Sequence, residues 1–236
     1  MTTFPTTPIA AHEVSLRVGD GASATYALSD VSIEGRAGEL LAVTGPSGSG
    51  KTSLLHVLAG LEPPSAGHVV LAGRPLAALD ERAATRLRRE EIALLLPEAP
   101  ALATITVREN VALPLLISGR APEPEAIDAL LRRVGLADRR NVRPGTLTAG
   151  ERRRAALARA LLGGPSVILA DEPLIDLPED EAAELLELLR RAAHEDGIAV
   201  ILFTRDADVA AAADRALVIE DGAIEAQTDA RELLAA

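Results

Sequence analysis

A short glycine-rich segment, placed between a strand-like apolar run and a helix-like pattern, constrains this chain more than any other feature. The apolar run is Leu40–Thr44, and the helical pattern begins at Lys51. The segment matches G-x-x-x-x-G-K-[ST] in the context that this motif requires, which is a strand before it and a helix after it. Its residues are Gly45, Pro46, Ser47, Gly48, Ser49, Gly50, Lys51 and Thr52. The pattern predicts a loop that wraps around phosphate groups.

The residue types of this loop fit the phosphates of a nucleoside triphosphate. Glycines let the backbone turn so that successive N–H groups face the β-phosphate, and the following helix adds its positive end. Lys51 is expected to reach the β- and γ-phosphates, the Thr52 hydroxyl to bind Mg²⁺, and Ser53 to complete the binding set. The alternative is a glycine-rich turn with no ligand. The 24 basic residues are 23 arginines and this one lysine, which favours a phosphate cradle that a planar guanidinium would fit badly.

A second candidate element is the apolar run Val167–Ala170, which ends in the carboxylates Asp171 and Glu172. This is the form of a Walker B strand. Asp171 is predicted to hold Mg²⁺, and Glu172 is predicted to be the catalytic base that polarises water near the γ-phosphate. The alternative is an ordinary helix that begins at Glu172, because acidic residues favour helix N-termini.

Strand-like and helix-like patterns alternate along the chain, which predicts an α/β fold with a mostly parallel sheet. We expect one domain over residues 1–236, with an N-terminal antiparallel β subdomain and a helical subdomain inserted at about residues 97–163. The predicted core strands are Leu40–Thr44, Ile92–Leu96, Ser166–Ala170, Ala199–Thr204 and Ala216–Ile219, and the predicted accessory strands are Glu13–Val18, Tyr26–Ile33 and His68–Leu71. The predicted helices are Lys51–Ala59, Glu81–Arg89, Pro124–Val134, Glu151–Leu162 and Glu179–Ala193.

Composition narrows the possible partners and compartments. The formal charge of −11 argues against binding to nucleic acid through phosphate contacts. The chain has no cysteine, no signal-peptide pattern at its start and no apolar run of membrane-spanning length, so the cytoplasm is the expected compartment. Arginines cluster at 132–133, 139–140 and 152–154, and we expect most of them to form solvated helix faces.

Further motifs identify the type of phosphate-binding protein. Neither Asn110 nor Asn141 precedes a lysine, so the Asn-Lys-x-Asp motif of guanine-specific GTPases is missing. Residues 147–151, Leu-Thr-Ala-Gly-Glu, resemble the ATP-binding-cassette signature L-S-G-G-[QE], and the Walker B strand follows at the expected spacing. Segments 60–67, 106–111, 134–139 and 220–222 are similar to cassettes of lipoprotein-release and macrolide-efflux transporters.

This resemblance implies an ATP- and Mg²⁺-dependent subunit on the inner face of the cell membrane, partnered with an integral membrane permease. It also implies a head-to-tail homo- or heterodimer in which each ATP lies between one subunit's phosphate loop and the other's signature helix. Thr148 and Gly150 are then expected to contact the nucleotide of the partner. Thr148 and Glu151 form a capping-box pattern, so we expect free N–H groups at that helix start to face the partner's γ-phosphate.

The chain departs from the family pattern at several positions. Pro97 stands where the family has a glutamine near the metal and the attacking water, and Arg205 stands where it has a histidine that contacts the γ-phosphate. Arg205 is expected to bind phosphate as a cation, but it cannot accept a hydrogen bond as a neutral imidazole can. The remaining changes are Ala149 for a signature glycine, Pro178 for an aspartate, and Val18 for an aromatic that stacks on adenine, a role that Tyr26 is placed to fill.

Two hypotheses follow from these changes. The first is an ATPase subunit that drives a membrane transporter with slow hydrolysis. The second is a nucleotide-gated pseudo-ATPase that regulates or scaffolds a membrane complex. A chromosome- or ribosome-associated cassette is disfavoured because those architectures add a coiled coil or a second cassette.

Overall fold

A computed structural model describes residues 7–19, 25–98 and 100–230 of the chain. Its centre is a six-stranded sheet with the strand order β10-β9-β3-β8-β7-β6. Five of these strands run parallel, and β10 pairs with β9 in the antiparallel sense. The strands are β3 (Leu40–Thr44), β6 (Ile92–Leu95), β7 (Val167–Asp171), β8 (Ala199–Thr204), β9 (Arg215–Glu220) and β10 (Ala223–Asp229).

A smaller antiparallel sheet packs beside the central one, with the strand order β2-β1-β4-β5. Its strands are β1 (Ile9–Val18), β2 (Thr25–Gly35), β4 (Ala66–Leu71) and β5 (Arg74–Pro75). One apolar cluster fills the space between the inner faces of the two sheets and the first helix, and Phe203 and Leu54 are among its fully buried members.

In the described part of the chain, seven α-helices connect and cover the strands. They are α1 (Lys51–Leu58), α2 (Glu81–Glu91), α3 (Val107–Ile117), α4 (Pro124–Arg133), α5 (Ala149–Gly163), α6 (Glu179–His194) and α7 (Ala207–Ala211). Helices α5, α6 and α7 cover the second face of the central sheet. Helices α3, α4 and α5 also enclose an apolar cluster of their own, which includes Val111, Leu131 and Ala158. Among the described residues, no helix has both the length and the apolar character needed to cross a bilayer.

The predicted fold class is confirmed: the chain has a parallel α/β core, an N-terminal antiparallel sheet and inserted helices. Each predicted strand and helix is present with ends shifted by a few residues. Among the strands and α-helices of the described residues, the sequence patterns did not identify α3, α7, β5 and β10. Pro114 lies inside α3 and concealed its helical pattern, while the other three are short or lie at a sheet edge, where the apolar pattern is weak.

Candidate functional site

The topology of the central sheet brings three separate parts of the chain together. Strands β3, β7 and β8 are parallel neighbours, so their carboxyl ends lie along one edge. Thr44 pairs with Thr204, and Asp171 pairs with Phe203. The glycine-rich loop, the Walker B carboxylates and Arg205 therefore meet at this edge.

An open pocket of about 310 Å³ lies at this edge of the sheet. It is the concavity in which the predicted phosphate-binding and catalytic residues converge. Its lining consists of Ala27, Ser47, Gly48, Gly50, Lys51, Thr52, Ser53, Asp171, Glu172 and Arg205. Gly45, Pro46 and Ser49 lie directly behind this lining and contact the lysine of the loop.

Two loop positions accept only glycine because the backbone there is both left-handed and crowded. Gly50 has φ +105°, and a Cβ atom on it would lie 2.6 Å from the carbonyl oxygen of Ala27. A Cβ atom on Gly45, at φ +156°, would lie 2.0 Å from the carbonyl oxygen of Ile219. Gly48 also has a positive φ, +82°, but nothing lies within 4 Å of its virtual Cβ. Gly45 and Gly50 are therefore required by both crowding and backbone conformation, whereas Gly48 is favoured by backbone conformation alone.

Lys51 lies under the loop, with only 7% of its surface exposed. Its Nζ donates hydrogen bonds to the carbonyl oxygens of Gly45 at 2.7 Å and Pro46 at 2.8 Å. Burial lowers the pKa of this ammonium group, and the negative charge of Glu172 opposes that shift. The loop thus holds a buried cation that can exchange hydrogen bonds to neutral carbonyl oxygens for stronger ones to the anionic oxygens of a phosphate.

Helix α1 begins in the pocket with its N-terminus uncapped. Its N-cap is Gly50, which offers no side-chain acceptor, and its first turn contains no acidic residue. Each of the other α-helices in the described part of the chain has an acidic residue in its first turn. The unpaired N–H groups and positive dipole end of α1 are thus available to an anion in the pocket.

Thr52 and Asp171 provide oxygen atoms for a metal ion beside the loop. The Thr52 hydroxyl donates a long hydrogen bond of 3.5 Å to Asp171 Oδ2. Burial raises the pKa of the Asp171 carboxyl, and the neighbouring charge of Glu172 raises it further. A hydroxyl and a carboxylate this close fit the hard, oxygen-rich shell of Mg²⁺, directly or through a bound water. A divalent cation would also neutralise the repulsion between the two carboxylates.

The predicted catalytic base lies next to Arg205. The Nε atom of Arg205 donates a hydrogen bond to Glu172 Oε1 at 3.1 Å. Glu172 has φ +41°, and α6 begins only at Glu179. The alternative in which Glu172 starts a helix is therefore wrong, because its backbone is left-handed and the next α-helix begins at Glu179.

Pro97 follows β6 and lies outside the pocket lining, as does the exposed Glu98. The Pro97 carbonyl accepts a hydrogen bond from Arg153 Nε at 3.4 Å, and the other end of the same guanidinium donates to the carbonyl of Ile175. Arg153 is only 8% exposed. The expectation of a solvated arginine face is wrong at this position, because the side chain points inward and joins α5 to the loops after β6 and β7.

The two positions considered for stacking on adenine lie on different surfaces. Val18 packs against the core cluster, whereas Tyr26 is 60% exposed and directly precedes Ala27 of the pocket lining. Among the described residues, the aromatic ring placed beside the pocket is therefore that of Tyr26.

Thr148 and Gly150 do not line this pocket; they lie at the start of α5. The predicted capping box is present, since the Glu151 N–H donates to Thr148 Oγ1 and the Thr148 N–H donates to Glu151 Oε2. The expectation that this helix start has free N–H groups is wrong for Gly150. Its N–H donates to Oε2 of Glu181, 31 residues further along the chain, at 3.1 Å. Sequence patterns gave no signal for Glu181, because the contact joins two helices.

Comparison with known proteins agrees with this arrangement. The family model of ABC transporters matches residues 28–175, which span the glycine-rich loop, the start of α5 and the Walker B carboxylates. The chain belongs to the ABC transporter family. The lipoprotein-releasing system ATP-binding protein LolD of Shewanella oneidensis is 38% identical over 220 residues, covering 92% of this chain and 96% of the relative. LolD of Bordetella pertussis is 41% identical over 214 residues, covering 87% and 90%.

Solved cassettes have the same fold as this one. A dimeric, post-hydrolysis structure of the ATP-binding cassette MJ0796, bound to ADP and Pi, superposes with a TM-score of 0.85 at 30% identity, covering 94% of this chain and 99% of that one. The cbiO1 cassette of Clostridium perfringens, part of the transporter complex cbiONQ, superposes with a TM-score of 0.86 at 25% identity, covering 97% and 91%.

Proposed function

We propose that this cassette binds Mg·ATP and couples the closure of a cassette dimer to a membrane permease, with slow hydrolysis. In this proposal the chain works at the cytoplasmic face of the membrane as one ATP-binding domain. The single observation that carries it is the pocket in which a buried lysine, an uncapped helix start, and a hydroxyl–carboxylate pair converge.

Each group in this pocket has a role in the proposal. The loop N–H groups and Lys51 bind the β- and γ-phosphates, while Thr52 and Asp171 hold Mg²⁺. When bound, the metal neutralises phosphate charge and orients the γ-phosphate. Glu172 accepts a proton from the attacking water once its carboxylate is free of Arg205. The loop, Lys51, Thr52 and Asp171 bind charges that Mg·ATP carries before any reaction, so they support binding whether or not hydrolysis is fast.

The partners are inferred from the relatives and from the surface. The solved MJ0796 cassette is described as dimeric, and cbiO1 as part of a transporter complex. In the described part of the 97–163 region three large apolar side chains are more than half exposed, and we propose them as part of the surface that faces the permease. They are Leu102, Leu116 and Ile117.

Slow hydrolysis is proposed because two positions lack the family's side chains: the glutamine near the attacking water and the histidine that contacts the γ-phosphate. Pro97 has no side-chain amide, and Arg205 holds the carboxylate of Glu172 in an ion pair. Loss of one preorganised transition-state contact slows chemistry by roughly a hundredfold or more. The Glu172–Arg205 pair also supports the second candidate, a nucleotide-gated pseudo-ATPase that closes on ATP with almost no turnover.

The test of binding is a calorimetric titration of the purified protein with Mg·ATP. Lys51→Ala is expected to weaken binding by about 10- to 150-fold, since one charge-assisted contact contributes about 1.5–3 kcal/mol. Arg191→Ala is the control, because it also removes one positive charge but from an exposed helical pair with Glu195. If the unaltered protein does not bind Mg·ATP, or if both variants bind it equally, the proposed function is wrong.

A further inference from the structure

The carboxylate of Glu181 occupies the start of the signature helix α5. Its Oε2 atom accepts the Gly150 N–H at 3.1 Å, and its Oε1 atom lies 3.5 Å from Thr148 Oγ1. Glu181 belongs to the first turn of α6. Both oxygens of one carboxylate thus face the two α5 residues that are expected to contact nucleotide.

The fit at Gly150 is tight. A Cβ atom there would lie 2.1 Å from Glu181 Oε2 and 2.7 Å from the carboxyl carbon. The carboxylate therefore occupies the space that the Cβ atom of any other residue at position 150 would take. Glu184, one turn along α6, makes a different contact: it pairs with Arg154 in the body of α5 at 2.7 Å.

A carboxylate and a phosphate oxygen compete for the same N–H group. Both are anionic acceptors, and an N–H makes one strong hydrogen bond at a time. A phosphate that approached Gly150 with Glu181 in place would also meet its negative charge at short range. The two anions exclude each other at this helix start.

We infer that Glu181 is an internal substitute for the partner's γ-phosphate, an autoinhibitory contact that must break before two cassettes close on ATP. This inference rests on the proposed function, in which the start of α5 faces the nucleotide held by a second cassette. Its consequence is that closure needs a higher ATP concentration than binding to one chain does.

A purely structural role for Glu181 predicts the opposite effect. If the carboxylate only stabilises the α5 dipole and the packing of α5 on α6, then its removal loosens the helix start and weakens closure. If it competes with phosphate, its removal makes closure easier. The sign of the change separates the two roles.

The test is an ATP titration of dimer formation by sedimentation velocity, with Glu172→Gln in every protein so that bound ATP persists. Glu181→Ala is expected to lower the half-saturating ATP concentration for dimer formation by about tenfold, the effect of one charge-assisted hydrogen bond. Glu184→Ala is the matched control, because it removes the same charge from the same helix. It is expected to leave the half-saturating concentration unchanged.

A half-saturating concentration that is equal or higher in Glu181→Ala overturns the inference. Calorimetric titration of ATP into dilute protein separates failure of the inference from failure of the proposed function. Absence of ATP binding to the parent refutes the proposed function and the inference with it, whereas ATP binding and dimerisation with no gain in Glu181→Ala refute the inference alone. If Glu181→Ala is unfolded, the isosteric Glu181→Gln replaces it, with an expected decrease of about threefold and the same refuting results.

Discussion

Breaking the ion pair between Glu172 and Arg205 tests how far this contact limits turnover. The contact is one hydrogen bond of 3.1 Å, between an arginine side chain that is 50% exposed and a carboxylate side chain that is 18% exposed. A pair of this exposure contributes about 0.2–1 kcal/mol, which corresponds to a factor of about 1.4 to 5 in a rate or equilibrium constant. Glu172 has to leave this pair before it can accept a proton from water. Arg205→Ala is therefore expected to raise turnover by up to about fivefold.

The assay is steady-state phosphate release at saturating Mg·ATP. Arg191→Ala is the control, since Arg191 forms a similar 3.0 Å pair with Glu195 on an exposed helix, and its loss should leave turnover unchanged. In a Glu172→Gln background turnover should be lost with or without Arg205, because the base that accepts the proton from water is then missing. A fall in turnover of tenfold or more in Arg205→Ala alone would refute the reasoning. It would mean that Arg205 stabilises charge on the phosphate in the transition state, as an oxyanion-hole donor does.

Two further predictions concern stability. Asp171→Asn should raise the thermal unfolding midpoint of the nucleotide-free protein at neutral pH by on the order of 2 °C, because burial and Glu172 raise the pKa of this carboxyl and disfavour its charged form in the folded state. A raised pKa lowers stability only at pH values where the carboxyl of the folded protein is ionised. The rise in midpoint, measured by calorimetry, should therefore shrink as the pH falls toward the ordinary aspartate range. A rise that does not depend on pH contradicts this prediction. In urea unfolding, Gly48→Ala should cost about 1 kcal/mol of backbone strain, and Gly50→Ala should cost more than about 3 kcal/mol because of its clash with the Ala27 carbonyl. Equal losses would contradict the distinction between the two glycines.

Short segments of the sequence were enough to predict the local parts of this site. The loop from Gly45 to Thr52, the Walker B strand and the capping box of Thr148 were all predicted from short segments. Each is recognisable from residue types at most a few positions apart, although two glycines of the loop also fit against the distant carbonyls of Ala27 and Ile219. The parallel α/β fold was predictable for the same reason, because alternating periodicities identify strands and helices one at a time.

Which distant side chains contact one another became visible in the three-dimensional structure. It placed Arg205 against Glu172 across 33 residues, and Glu181 against Gly150 across 31. It also buried Arg153, which appeared in the sequence as one of three consecutive arginines on a helix surface. These contacts depend on the order of strands in the sheet and on how α5 packs on α6. The sequence pattern of either partner is the same whether its side chain faces solvent or another element, so only the packing of distant segments reveals the contact.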